Sequence, residues 1–117
     1  MKQDNLVLEK SMDFAVRVVK LYQYLSEEKK EFVMSKQLLR SGTSVGANIH
    51  EAKYAQSRKD FAAKMSISLK EISETKYWLE LLAKTDYLTK EQYESIEIDC
   101  TELIKLLTAI VKTMRQE

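Results

Sequence analysis

The sequence predicts an all-α protein, an antiparallel up-down-up-down four-helix bundle. Three observations carry this expectation. The 117 residues include no proline and only two glycines, so turn formers are few and long helices follow. Apolar residues recur three and four apart over most of the chain, the period of helices buried along one face. No sustained apolar/polar alternation bounded by turn residues signals a strand. The length suits one domain spanning 1–117, with 44% hydrophobic residues for one core and 32% charged residues for a soluble surface.

The first helix is expected over 5–26. Leu8, Met12, Ala15, Val19 and Tyr22 form one apolar stripe, and Phe14, Val18, Leu21 and Leu25 form a second beside it. Two stripes are wider than one neighbouring helix covers. The charged run "SEEKKE", 26–31, reads as a connection.

The second helix is expected over 33–56 and holds the stretch "RSGTSVGANIHEA", which contains both glycines and the lone histidine. Leu38, Gly42, Val45, Ile49 and Ala52 fall on one helical face, so the helix should run unbroken through the glycines. Each glycine costs about 1 kcal/mol relative to alanine in a helix interior. Small residues four apart justify that cost by letting another helix approach closely. Beside this face, Gln37, Arg40, Ser41, Ser44, Asn48 and Glu51 gather into a polar stripe that should be partly buried and therefore partnered.

The third helix is expected over 58–85. Ser57 followed by Asp60 resembles a capping box with Asp replacing the usual Glu. Its core stripe is Phe61, Met65, Leu69, Ile72, Leu79 and Ala83. Glu71 and Glu74 share another sector with Ile67, Trp78 and Leu81, and carboxylates among apolar neighbours need partners. Arg40 with Glu71 or Glu74, and Asn48 with Glu51, are the expected pairs of one structural network. The fourth helix, over 90–115, begins with a second capping box at Thr89 and Gln92. Its stripe of Tyr93, Ile96, Cys100, Leu103, Leu107, Ile110 and Met114 is the most regular in the chain. Short connections between the four segments force antiparallel neighbours.

Several chemistries are excluded. A phosphate-binding loop requires G-x-x-x-x-G-K-S/T, whereas Gly42 and Gly46 are only four apart. A di-iron bundle requires Glu-x-x-His on two helices, and there is one histidine. His50 is therefore expected at the surface or an interface. Ser41 and Ser44 have no base proposed by any pattern. Cys100 lies on a core stripe, as a small buried apolar residue does. Glu51 with Glu71 imitates a carboxylate pair, but acids paired with Arg40 are the plainer account. No catalytic residue, metal site or cofactor is expected. No apolar run approaches the length of a membrane span. A secretory signal is not evident and a single cysteine forms no internal disulfide, so the cytoplasm is the expected location.

The net charge of +1 does not mark a nucleic-acid binder, but its distribution is uneven. Residues 35–70 hold seven basic and two acidic side chains, a balance of +5; residues 85–117 hold four and seven, a balance of −3. Lys36, Lys53, Arg58, Lys59 and Lys64 are the candidate phosphate contacts, expected near the connection between the second and third helices. No aromatic interleaving or base-reading motif accompanies them.

"KQLLRSGTSVGANIHEA" followed by "SRKDFAAKMSISLKEISETKYWLELL" resembles the four-helix-bundle family of proteins encoded in intervening sequences of bacterial 23S ribosomal RNA genes. Gln37, Leu38, Arg40, Ser41, Ser44, Asn48 and Glu51, then Lys70, Glu71, Glu74, Tyr77, Trp78 and Leu79, carry the resemblance. It implies a small bacterial bundle that assembles as a ring-like homopentamer. It also implies similarity to the accessory protein of diversity-generating retroelements, which acts with a reverse transcriptase and is thought to bind nucleic acid. The surplus apolar stripes on the first and third helices agree with an oligomer interface. The leading expectation is a non-enzymatic oligomeric module that binds structured RNA or DNA. The alternative is a protein-interaction scaffold, for a polymerase or another partner, without direct nucleic-acid binding.

Overall fold

The structure is a computed structural model that describes residues 2–116, with side chains described from residue 5 onward. Four helices follow in order: α1 Lys2–Glu27, α2 Met34–Ala52, α3 Arg58–Lys84 and α4 Lys90–Gln116. No strand occurs among the described residues. Each helix packs on the next, and α4 returns to α1 along the least extensive seam. The bundle measures 45 × 21 × 19 Å, close to the length of a 27-residue helix at ~1.5 Å per residue.

The helix ends follow from local chemistry. Ser57 caps α3 by accepting the Asp60 N–H at 3.0 Å. Asp60 accepts the Gln56 N–H at 3.4 Å, so the box closes one residue earlier than the usual pattern. At α4 the box is reciprocal: Gln92 N–H donates to Thr89 Oγ1 at 3.1 Å, and Thr89 N–H to Gln92 Oε1 at 2.8 Å. The α3 terminus is a Schellman motif. Asp86 takes the left-handed conformation with φ 67°, its N–H reaches the Ala83 carbonyl, and the Tyr87 N–H reaches that of Leu82.

The start of α2 has no Ser, Thr, Asp or Asn cap. Instead the carboxylate of Glu31 accepts the N–H groups of Val33, Met34 and Ser35 at 3.0, 3.0 and 2.7 Å. The Ser35 hydroxyl returns a bond to the Glu31 carbonyl at 2.7 Å. Glu31 is buried. Burial alone raises its pKa, but the three N–H groups together outweigh that and hold it below the ordinary carboxylate value. The run 26–31 is thus more than a connection, because its last residue anchors the next helix.

Helix α2 ends at Ala52 and not at Gln56. Two antiparallel helices need a few residues to reverse, and 53–57 supply them. The Tyr54 and Ala55 N–H groups bond back three residues, to Glu51 and Ala52. No Gly or Pro marks this boundary.

The core is filled by Phe14, Val18 and Leu25 of α1, Leu38, Val45 and Ile49 of α2, Met65, Ile72, Leu79 and Leu82 of α3, and Cys100, Leu103 and Leu107 of α4. On α1 the Phe14 stripe faces inward, extended by Val7 and Ser11. The Leu8 stripe lies on the flank, with Met12 62% and Val19 38% exposed. On α3, Phe61, Leu69 and Ala83 are only partly buried, while Ser68, Thr75 and Leu82 are fully buried. Polar residues enter this core because their hydroxyls find partners: Ser68 donates to the Val45 carbonyl at 2.7 Å, and Thr75 meets Ser41 at 2.9 Å.

Helix α2 runs unbroken through both glycines, neither of which has positive φ. A Cβ on Gly42 would lie 2.8 Å from each methyl of Val18, and one on Gly46 would lie 3.3 Å from the Ser11 carbonyl oxygen. The glycines therefore admit α1, whose buried Ser11 and Val18 occupy the space that side chains on α2 would need.

Candidate functional site

Two polar groupings stand out. The first is the motif between α2 and α3. Arg40 lies between two carboxylates, bonding Glu71 at 3.2 Å and Glu74 more closely, while its Nε donates to Gln37 at 3.4 Å. Trp78 donates its indole N–H to Glu74 at 2.9 Å. That bond, and then Arg40, lowers the Glu74 pKa, and the bond to Glu74 leads in raising that of Arg40. The arrangement is a structural clamp, with one guanidinium fork joining two acids one helical turn apart.

The remaining motif residues serve their own helix or its closest contacts. Ser44 donates to the Arg40 carbonyl at 2.7 Å, and Asn48 to that of Ser44 at 2.8 Å. The expected Asn48–Glu51 pair is replaced, because Glu51 turns outward to Lys64 at 3.2 Å. Glu51 and Glu71 do not share a site either. Glu71 is fixed at Arg40, eleven positions before Glu51 on a straight helix, which is ~16 Å.

The second grouping is basic. Lys53 lies in the α2–α3 turn, and Arg58 and Lys59 open α3; all three are exposed. Two of the expected members are placed differently. Lys36 stands in the first turn of α2, seventeen positions from Lys53 and so ~25 Å distant along the helix. Antiparallel packing carries it to the opposite end of the bundle. Lys64 is committed to Glu51. In their place the fold presents Tyr54, which is 68% exposed. Lys53 Nζ sits 5.7 Å from the Tyr54 ring centre, and His50 meets the same ring edge-on at 5.7 Å. Tyr54 is not among the residues singled out from the sequence, although it adjoins Lys53 there.

Cys100 is buried against the Ile72 carbonyl, and burial pushes its thiol up to about 12. It carries no thiolate chemistry at neutral pH. His50 is exposed. No helix of the described residues is long and apolar enough to cross a membrane.

These features define the class: a small all-α bundle with a glycine-thinned second helix clamped to the third by an Arg–Glu–Glu motif. The family model described as 23S rRNA-intervening sequence protein matches residues 3–109, and the chain belongs to that family. A crystal structure from Bacteroides thetaiotaomicron, titled as a protein of unknown function from the S23 ribosomal protein family, is 64% identical and superposes with a TM-score of 0.92. The alignment covers 94% of this chain and 98% of that one. No curated protein matches. Neither match names an enzymatic activity.

Proposed function

We propose that the protein is a non-catalytic, cytoplasmic, self-assembling bundle whose α2–α3 turn contacts the phosphates of structured RNA or DNA. The observation that carries this reading is the joint exposure of Lys53, Arg58, Lys59 and Tyr54 around one turn. Three cations alone make a weak site. Repetition around a ring, which the family resemblance implies, would multiply them without any new contact.

Filter binding of a structured RNA across a salt series tests this. Affinity should fall steeply as salt rises, and Lys59→Glu should weaken it at every salt. Affinity that is absent at low salt, or flat with salt, would overturn the phosphate contact.

A scaffold is the second reading, favoured by one surface. Met12, Val16 and Val19 are 62%, 47% and 38% exposed along α1. Met12 also lines a groove of about 560 Å³ together with Ala15, Thr43, Gly46 and Ala47. Met12→Glu should lower the mass seen by light scattering while leaving the helical signal intact. Native-host purification that yields a protein partner and no nucleic acid would favour the scaffold over the first reading.

A further inference from the structure

The basic turn adjoins a second cavity, of about 330 Å³, at the same end of the bundle. That volume falls within the ~300–1,000 Å³ of small-molecule sites. Its inner wall is apolar, formed by Leu8, Ile49, Phe61 and Met65. Ile49 and Met65 are buried and Phe61 is half-buried, so they lie deep; Lys53 and Ser57 are exposed and form the mouth. Ser57 Oγ accepts the Asp60 N–H at 3.0 Å, which leaves its hydroxyl proton to donate outward.

A pocket of mixed lining, with Leu8, Ile49, Phe61 and Met65 on its apolar side and Asn5, Lys53 and Ser57 on its polar side, suits a flat, polar-edged ring attached to an anionic chain. We propose that this cavity receives one unpaired base of a single-stranded or looped nucleic acid, while Lys53 and Lys59 hold the adjoining phosphates. The inference rests on the phosphate reading above and adds to it a preference for unpaired strands. A duplex keeps its bases stacked on one another and cannot offer one to the cavity without unstacking. Tyr54, on the same turn, gives a neighbouring base a second ring to stack on. Purely apolar ligands would leave the lysine and serine at the mouth unused.

The test compares labelled oligonucleotides of equal length on the intact protein by fluorescence anisotropy, in RNA and DNA versions. One is single-stranded, one is a fully paired duplex of two strands with no loop, and one is single-stranded with abasic sites. The single strand should bind about 5-fold or more tightly than the duplex, and abasic sites should remove that advantage. The advantage in either RNA or DNA supports the pocket. Equal affinity for all three forms in both chemistries would overturn the pocket and leave the phosphate reading standing. No binding by any form would overturn both. Phe61→Leu should bring single-strand affinity down to that of the duplex and leave duplex affinity unchanged. The abasic arm uses the wild-type chain, so the outcome does not depend on how that variant folds.

Discussion

Replacing Gly42 by alanine tests the packing of α2 most directly. Helix propensity alone favours the change by about 1 kcal/mol. The new methyl would sit 2.8 Å from both Cγ atoms of Val18. Val18 is fully buried, and a β-branched side chain has little rotamer freedom to withdraw. Overpacking of this kind costs ~1–3 kcal/mol, so the net effect should be a loss of about 1 kcal/mol. Val18→Ala removes both 2.8 Å contacts and leaves only its own Cβ at 3.3 Å, which a shift of a few tenths of an ångström relieves. In that background Gly42→Ala should stabilise by about 1 kcal/mol, from propensity and partial refilling of the void. The coupling between the two sites is therefore ~2 kcal/mol, within the range for touching residues. Urea unfolding of the four proteins measures it at fixed protein concentration, since assembly would contribute to apparent stability. A stabilising Gly42→Ala in the wild-type chain, with additive behaviour in the double variant, would refute the close approach of α1.

Other outcomes follow from the ends of the helices and the clamp. Glu31→Ala strands three N–H donors at the α2 start, and thermal unfolding should show a loss of ~2 kcal/mol, or ~8 °C; a shift below ~1 °C would remove Glu31 as the anchor. Glu31 and Glu74 have folded pKa values below their unfolded ones, so each contributes stability that is present above the unfolded value near 4.5. That stability is lost as pH falls through the folded values. Wild-type stability should drop below pH 4.5 more steeply than that of a Glu31→Gln, Glu74→Gln double variant; parallel acid limbs would contradict this. Arg40→Ala should cost ~0.5–1 kcal/mol, discounted because the guanidinium is half-exposed, and Arg40→Lys should not restore it. Full rescue by lysine would mean that charge alone, without the fork, suffices. Lys30 has φ 56° with a side chain, so Lys30→Gly should raise stability by ~0.5–1 kcal/mol in the same melts; no gain would mean that Lys30 makes a compensating contact.

Fold class and helix order were legible in the sequence because three-four periodicity is strong in every segment. The Arg40 clamp was legible for a related reason: a polar stripe beside a core stripe demands partners, and α3 offered two acids. Three features were hidden. On α1 both stripes are apolar, and hydrophobicity does not rank them; shape does, since Val18 fits against Gly42. Glu31 was hidden because its cap depends on a chain reversal that folds the carboxylate back under the helix start, where composition shows only another charge. The basic cluster was misjudged by linear proximity. Residues 36 and 53 belong to one helix, and a straight rod separates its ends.

The thin helix and the exposed apolar stripe are two consequences of one geometry. In a bundle with full-sized side chains on both facing helices, α1 would stand farther from α2, and its flank would cover more of the gap. Here the backbone of α2 meets Val18 and Ser11 almost directly. The closer axes leave a shallow groove beside the contact, floored by Ala15, Gly46 and Ala47, with Met12 on its wall. Apolar flank residues are thereby displaced outward without opening the core, which stays sealed by Phe14, Val18 and Leu25. Met12, Val16 and Val19 stay exposed on this flank and take no part in the interior. Exposed apolar patches are enriched at interaction sites, and the scaffold reading proposed above rests on this one. The same close packing that makes α2 slender thus accounts for the groove beside it.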